Sequence, residues 1–165
     1  MKLLRYGEPG QEKPGMLDRN GLIRDLSGHV NDISDETLLP VNIEKLKKID
    51  FNNFPEVSGD VRIGPCVGKV GNFICIGLNY SDHAKESNME VPKEPVIFSK
   101  ITSSICGPND DVIIPRNAIK TDWEVELGVV IGKTAKYVDE KDALDHIAGY
   151  CVISDLSERE YQLER

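Results

Sequence analysis

The sequence predicts a mainly β protein with short helices. Several apolar runs of strand length are bounded by glycine, proline, asparagine and aspartate, and the helical segments between them are brief. Parallel βαβ units need long crossover connections, so brief helices favour an antiparallel or mixed sheet. The 165-residue chain is 39% hydrophobic and 29% charged, which is typical of a folded globular domain.

Residues 1–66 are predicted to form a small α+β N-terminal domain. The opening MKLLRY is strand-like, and two apolar segments flank Asn20-Gly21, a strong β-hairpin signal. A short helix that is either interrupted or started near Pro40 is predicted within the segment DETLLPVNIEKLKKID. The polar, turn-rich stretch FNNFPEVSGDVRIGP then indicates a linker.

Residues 67–165 are predicted to form a second, strand-rich domain. It opens with an apolar strand, expected to be buried, that ends at Gly77, and a helical turn or two follows in SDHAKESNME. A short helix is predicted around DEKDALDHIA, and a last helical segment in DLSEREYQLER. The remaining predicted strands are PVIFSK with the following ITSSIC, then DDVIIP, TDWEVELGVV and GYCVIS.

The charge and composition exclude several classes of function. A net charge of −8 repels nucleic-acid phosphates and anionic membranes, so neither is an expected partner. The four cysteines are scattered without a C-x-x-C pair, which favours reduced structural thiols over a zinc site or disulfide framework. No signal peptide, membrane span, phosphate-binding loop or nucleophile elbow is found. A cytoplasmic protein is therefore predicted.

The strand TDWEVELGVV carries two glutamates on one face. Alternate strand residues share a face, so Glu124 and Glu126 lie together, with Gly128 and Gly132 expected to leave room above them. Two carboxylates about 7 Å apart along a strand can converge on one Mg²⁺ ion. The alternative is a solvated polar face, although like charges there repel each other. The other face is apolar and is expected to be a core face: Trp123, Val125, Leu127, Val129 and Ile131.

Three further residues are candidates for the same chemistry. Asp155 follows the apolar run GYCVIS, where a strand end can deliver a third oxygen ligand for a hard cation, although it can equally cap the next helix. His83 and Glu86 are three residues apart and are neighbours on a helical turn. A carboxylate beside an imidazole can position and activate water, whereas the alternative is an exposed surface pair.

Four blocks together closely resemble the fumarylacetoacetate hydrolase family. They are GLNYSDHAKE, PVIFSK, DWEVELGVVIGK and GYCVISDLSEREYQ, in the family's order and spacing over roughly residues 67–165. The leading segments RYGEPGQEKPG and NGLIRDLS resemble the small N-terminal domain of bacterial members, including proteins labelled ureidoglycolate lyase or 2,4-diketo-3-deoxy-L-fuconate hydrolase. The resemblance implies a mixed β-sandwich roll, usually dimeric, which continues beyond Arg165 in the family, so residues 67–165 are expected to be the N-terminal portion of the catalytic domain.

The resemblance also implies a set of site residues. Glu124, Glu126 and Asp155 are expected to hold Mg²⁺ or Mn²⁺, and His83 with Glu86 to activate water. The positions that match the family's substrate pocket are Lys100, Arg159 and Gln162.

The implied function is divalent-metal-dependent hydrolysis of a C–C bond in a 2,4-diketo acid of the acylpyruvate type. Water attack would leave a metal-stabilised enolate, and the expected partners are a small keto-acid substrate and a second copy of the chain. One alternative is a lyase, decarboxylase or isomerase of the same family, of the ureidoglycolate lyase, oxaloacetate decarboxylase or hydroxymuconate isomerase type. Another is a non-catalytic β-module that binds a metal structurally.

Overall fold

A computed structural model describes all of residues 1–165, and the chain divides into two compact units. The first unit combines Met1–Gly68 with Gly107–Arg165, and the second is Lys69–Cys106. Most of the predicted catalytic segment therefore packs with the N-terminal residues. The proposed domain division at residue 66 differs from this packing and stays a prediction. None of the helices has the length and apolar content that a bilayer crossing requires.

The first unit opens with a three-stranded antiparallel sheet. Its strands β1 (Lys2–Tyr6), β2 (Lys13–Leu17) and β3 (Ile23–Asp25) are adjacent in chain order, which confirms the predicted strand and hairpin. The hairpin turn is closed by Asp18, whose carboxylate accepts hydrogen bonds from backbone amides two and four residues later at 2.8 and 2.9 Å. Gly21 supplies the positive φ of +82° that this turn requires.

The core of this unit lies between the sheet and one short helix. Helix α1 (Pro40–Leu46) follows a 3₁₀ turn, and Pro40 occupies its first turn, where a missing N–H has no cost. The helix buries Ile43 and Leu46. Full burial of one such side chain is worth about 1.5–3 kcal/mol. The core cluster is formed by Met16, Leu26, Ile33, Leu38 and Ile43.

A long antiparallel ribbon is the second feature of this unit. Strands β6 (Thr121–Ile131) and β7 (Ile147–Glu158) pair along their length, and helix α3 (Arg159–Leu163) follows directly. The predicted helix before β7 is a 3₁₀ segment, Glu140–His146. Strand β7 runs past GYCVIS, so Asp155 lies inside the strand. It neither follows the strand end nor caps α3, whose N-cap is Glu158.

The apolar face of the ribbon is exposed, so the prediction that it faces a core is wrong for this chain. Trp123 is 69% exposed and Leu127 63% exposed, and Val152 on β7 is 81% exposed. The opposite face is the one that packs, because Val130 and Ala148 contact the core cluster. A two-stranded ribbon buries only the face that another layer covers.

An exposed apolar face of this kind predicts self-association of the 165-residue chain. We expect Val152→Lys to reduce association, because a charge on a flat strand opposes edge and face pairing. Tyr137→Lys is the matched control, since Tyr137 is 97% exposed outside the ribbon. Sedimentation over a concentration series measures the effect. Equal association by both variants would show that another surface is responsible.

Gly128 and Gly132 do not leave open space beside the glutamates, contrary to prediction. A Cβ at Gly132 would lie 2.4 Å from the Leu38 carbonyl oxygen and 2.8 Å from the Ala148 Cβ. At Gly128 it would meet the Cys151 sulfur at 2.6 Å. Glycine is therefore needed at position 132, where the chain lies against Leu38 just before α1, and at position 128, where β6 lies against a side chain of its partner strand.

We expect Gly132→Ala to lower the free energy of unfolding by about 1–3 kcal/mol, the usual cost of overpacking. The clash involves backbone, which cannot rotate away. Gly149→Ala is the control, because a Cβ there meets nothing within 4 Å. Urea unfolding of the three proteins measures the difference, and equal stability of both variants would contradict this packing.

An ion-pair network joins the start of the chain to residues that follow Gly107. The Arg62 guanidinium donates to Glu12 at 3.0 Å and to both carboxylate oxygens of Asp110 at 2.6 and 2.7 Å. The bond from Arg62, with a further bond from the Gly107 amide, holds the pKa of Asp110 below its usual 3.8. The bonds to Asp110 and Glu12 raise the pKa of Arg62.

This network predicts a pH-dependent stability. Because the pKa of Asp110 is depressed by folding, its contribution is fully present above the unfolded pKa and is lost as pH falls through the lower folded value. Asp110→Asn should therefore destabilise the protein at neutral pH, with a difference that shrinks as the pH falls below the ordinary aspartate pKa of 3.8. Asp111→Asn, at the exposed neighbour, is the control. A difference that does not change with pH in urea unfolding would contradict this assignment.

The second unit contains strand β4 (Phe73–Gly77), helix α2 (Ser81–Glu86) and strand β5 (Val96–Lys100), with the two strands antiparallel. Strand β4 ends at Gly77 as predicted but is not buried, because Ile74 and Ile76 are exposed. The predicted second strand after PVIFSK is a 3₁₀ turn, and DDVIIP, in the first unit, is irregular. Neither has a partner strand, which a β-strand requires.

Candidate active site

Three carboxylates lie on one face of the β6–β7 ribbon. Glu124 is the direct cross-strand partner of Asp155, and Glu126 is the next residue along the same face. Directly opposed residues have Cβ atoms about 4.5–5.5 Å apart. Asp155 is buried and the two glutamates are half-buried. The register thus brings together residues that the sequence places far apart.

Arg159 lies against this face at the start of α3. Its guanidinium is hydrogen-bonded to Glu124, donates to Asp122 Oδ2 at 2.9 and 3.1 Å, and donates to Gln162 Oε1 at 2.8 Å. Burial alone would lower the pKa of Arg159, but the bonds to Glu124 and Asp122 raise it above its ordinary value. Arg159 and Gln162 therefore lie together beside the carboxylates.

The donor set of this face fits a hard divalent cation. All three candidate ligands are carboxylates, the oxygen donors that Mg²⁺ and Mn²⁺ prefer, and the register places them on one face. As the side chains stand, they are not gathered around a metal-sized point. The carboxylate of Glu124 pairs with the guanidinium of Arg159, which balances its charge.

His83 and Glu86 lie in the second unit, on α2. Both side chains are exposed, and Ala84 between them is buried, which fixes the outward face of this short helix. The helix is bracketed by Leu78 and Asn88, which have positive φ values of +50° and +52°. A positive φ is uncommon for leucine, whereas asparagine adopts it more readily. His83 and Glu86 lie three residues apart on one helix, as the sequence predicts.

Lys100 also lies in the second unit. It is the last residue of β5 and pairs with Phe73, and its side chain is half-buried. The five other predicted site residues lie in the first unit.

Sequence reasoning missed Asp122 as the partner that orients Arg159. Asp122 precedes Glu124 by two residues, so it shares the carboxylate face. Its pKa is held below the ordinary value by the bond from Arg159. The same period-two pattern that singled out the glutamates would have found it. The position of Arg159 at the end of β7 could not be seen before the length of that strand was known.

The fold and the carboxylate face define a class of mainly β proteins with a candidate metal-binding ribbon. The model for the fumarylacetoacetate (FAA) hydrolase C-terminal domain matches residues 72–165, which is more than half of the chain. The chain therefore belongs to the fumarylacetoacetate hydrolase family.

The relatives agree with this membership. Proteins of Burkholderia ambifaria and Burkholderia multivorans are 64% and 63% identical to this chain over its whole length. Their names class them provisionally as hydrolases. The chain spans 58% of the length of each of these relatives.

Solved structures with the same fold include enzymes with different names. The fumarylacetoacetate hydrolase of Exiguobacterium antarcticum is 33% identical, with a TM-score of 0.76 over 99% of this chain and 58% of that one. The 2-hydroxyhepta-2,4-diene-1,7-dioate isomerase of Mycobacterium marinum is 28% identical, with a TM-score of 0.69 over 98% and 56%. The family thus includes hydrolases and isomerases on a mainly β fold with short helices.

Proposed function

We propose that this protein is a divalent-metal-dependent hydrolase that cleaves a C–C bond in a 2,4-diketo acid of the acylpyruvate type. The observation that carries the proposal is the opposition of Glu124 and Asp155 on β6 and β7, with Glu126 on the same face. Family membership supports an enzyme, and the carboxylate ligands support oxygen-rich keto-acid chemistry.

In this proposal Glu124, Glu126 and Asp155 hold Mg²⁺ or Mn²⁺, which supplies positive charge to the keto and enolate oxygens of the substrate. We expect the Arg159–Glu124 pair to loosen when the ion binds, because the cation and the guanidinium repel each other at the same carboxylate. Asp122 and Gln162 retain Arg159 near the face when that happens. Arg159 is thereby left able to bind a substrate carboxylate as a planar two-pronged donor.

His83 and Glu86 supply the acid–base chemistry. His83 accepts a proton from water at a ring nitrogen, and Glu86 orients the imidazole and stabilises its positive charge. The water oxygen attacks the 4-keto carbon, and the C3–C4 bond then breaks. Its electron pair passes to the pyruvate enolate, which is protonated at C3, so the products are a carboxylic acid and pyruvate. Lys100, Arg159 and Gln162 bind and orient the substrate.

Isomerisation is the second candidate function, because a solved relative of this fold is named as an isomerase of a dienoic acid. Lyase and decarboxylase reactions of keto acids use the same enolate. The proposal favours hydrolysis because His83 and Glu86 are suited to activating water, which an isomerase or decarboxylase needs less. A structural metal-binding module would leave both residues without a role.

The proposal extends to assembly and location. We place the catalytic segment in a mixed β-sandwich roll, behind a small N-terminal domain at residues 1–66, in a cytoplasmic homodimer. The apolar face of the ribbon is exposed in this chain. Because such faces are usually buried in stable assemblies, it supports the proposal that more protein packs on it.

Product analysis tests this function. Acylpyruvates are incubated with the protein and Mn²⁺, and the products are identified by NMR, with a chelator-treated sample as the control. Equal amounts of pyruvate and carboxylic acid, formed only with metal, are expected. Carbon dioxide or an isomer with an intact carbon skeleton would replace hydrolysis with decarboxylation or isomerisation.

A further inference from the structure

The chain passes between the two units at two crossing points. It leaves the first unit after Gly68 and returns to it at Gly107. Gly68 donates its backbone N–H to the carbonyl oxygen of Ile33 at 2.9 Å, and Gly107 donates to Asp110 Oδ2 at 2.6 Å. A Cβ added at Gly107 would lie 2.2 Å from the Ile63 carbonyl oxygen, so the returning chain also packs tightly on backbone. Both crossing points are therefore anchored within the first unit.

Arg62 holds the crossing point at Gly107. Its guanidinium donates to both carboxylate oxygens of Asp110, at 2.7 and 2.6 Å, and the same Oδ2 accepts the Gly107 N–H. The side chain of Arg62 is 21% exposed. A planar, two-pronged pair of this kind fixes the orientation of the carboxylate as well as its position. Asp110 thus links the guanidinium to the returning chain.

Arg5 holds the crossing point at Gly68. Its Nε donates to Asp32 Oδ1 at 2.7 Å, and the same oxygen accepts the backbone N–H of Ile33 at 2.8 Å. A Cβ added at Gly68 would lie 2.4 Å from Asp32 Oδ2 and 3.1 Å from the Arg5 guanidinium carbon. The backbone of Gly68 therefore lies directly against this ion pair.

Glu12 joins the two arginines into one network. One of its carboxylate oxygens lies 3.5 Å from Arg5 Nη2, and the other lies 3.0 Å from Arg62 Nη1. Its side chain is 7% exposed, so these pairs are less screened than ordinary surface ion pairs. Backbone bonds add to the network, because Gly64 donates to the Arg5 carbonyl at 2.8 Å and Gly7 donates to the Arg62 carbonyl at 2.9 Å.

The segment between the crossing points carries His83, Glu86 and Lys100. Its regular structure is one short helix and a single pair of strands, and an isolated pair of strands is only marginally stable. Its first residue, Lys69, has a φ of +53°, which is uncommon for lysine and must be held by the surrounding structure. The two ends are therefore the places where the first unit can restrict the movement of this segment.

We propose that Arg5 and Arg62 are positioning residues that clamp both ends of the segment Lys69–Cys106, which carries the residues assigned above to water activation. Each arginine acts through a carboxylate and a crossing point rather than by touching the substrate. Loss of the clamp lets the crossing points open more often, so the productive arrangement is populated for less of the time. The effect on kcat rests on the proposed function, whereas the clamp itself does not.

Trypsin digestion of the native protein tests the clamp. Lys69 is exposed and directly follows the first crossing point. Arg62→Met and Arg5→Met should each speed cleavage after Lys69 by about 10-fold or more, because a hydrogen bond to a charged group contributes that much to an opening equilibrium. Mass spectrometry identifies the fragments. Hydrogen exchange of the Gly107 amide should also become faster in Arg62→Met.

Arg24→Met is the matched control for loss of a partly buried arginine. Arg24 lies on β3 of the same sheet, its side chain is 14% exposed, and it pairs with Asp18 at 2.9 Å and Glu56 at 3.6 Å, outside the network. This variant should also lose stability, but cleavage after Lys69 should stay at the wild-type rate. Arg62→Lys keeps the charge without the two-pronged pair, so it should give an intermediate rate even if Arg62→Met does not fold.

Kinetics separates the clamp from the proposed function. On the acylpyruvate that the wild type cleaves fastest, Arg62→Met should lower kcat by about 10-fold or more through misplacement, with Mn²⁺ affinity unchanged. Arg24→Met should keep the wild-type kcat. A wild type that cleaves no acylpyruvate would refute the proposed function alone, and the trypsin comparison then decides the clamp. Cleavage after Lys69 that is equal in the Arg62 and Arg24 variants would overturn the clamp, and faster cleavage with wild-type kcat would overturn the positioning role.

Discussion

Replacement of Asp155 by asparagine should weaken Mn²⁺ binding by at least about 100-fold. Loss of residues that only support metal ligands costs about 10–100-fold, and a direct ligand should cost no less. The change keeps the size of the side chain but removes its negative charge. Asp155 is the most buried of the three carboxylates, so no water can replace it easily. Calorimetric titration with Mn²⁺ measures the affinity.

The control for this prediction is Glu140→Gln, which removes one charge from an exposed carboxylate outside the ribbon. It should leave Mn²⁺ affinity unchanged, which separates loss of a ligand from loss of overall negative charge. Circular dichroism and urea unfolding report whether Asp155→Asn is folded. A folded Asp155→Asn protein that binds Mn²⁺ as tightly as the wild type would remove Asp155 from the metal site.

Replacement of His83 by alanine should lower kcat by about 10²–10⁴-fold, the usual contribution of a general base. The metal ligands are on other elements, so Mn²⁺ affinity should not change. Because His83 is exposed on a short helix, the substitution removes no core contact. Steady-state kinetics on the acylpyruvate that is cleaved fastest, together with Mn²⁺ titration, measures both quantities.

Two further variants define the role of His83. Glu86→Gln should lower kcat less, because it orients the imidazole but does not take the proton. His146→Ala is the control for loss of an imidazole, since His146 lies in the 3₁₀ segment before β7 and has no role in the proposed chemistry. A His83→Ala enzyme with wild-type kcat would eliminate water activation by this residue.

The strands that carry the site could be predicted from sequence because their patterns are local. Alternation along residues 121–131 placed Glu124 and Glu126 on one face, and the Asn20-Gly21 signal located the hairpin. The end of β4 at Gly77 was likewise predicted, and Pro40 was predicted either to start or to interrupt a helix; the structure shows that it starts α1. Each of these features depends on neighbours within a few residues.

The features that sequence reasoning missed depend on distant pairing. The register that opposes Glu124 and Asp155 pairs residues that are far apart in the chain and includes an irregularity between Val130 and Ile131, and no local pattern encodes it. The face of β6 that packs could not be chosen from alternation alone, because alternation defines two faces but not which one is covered. Alternation therefore could not predict that the face with Trp123 is the exposed one.

The most direct test of the account is Mn²⁺ binding to this chain with and without oxalate, alongside Glu126→Ala. Oxalate resembles the keto-acid end of the substrate and can complete the coordination of a metal in an open site. The account predicts that oxalate tightens Mn²⁺ binding and that Glu126→Ala abolishes both the binding and the enhancement. Binding that oxalate does not affect would indicate a closed structural site, and a folded chain without specific Mn²⁺ binding would contradict the metal assignment.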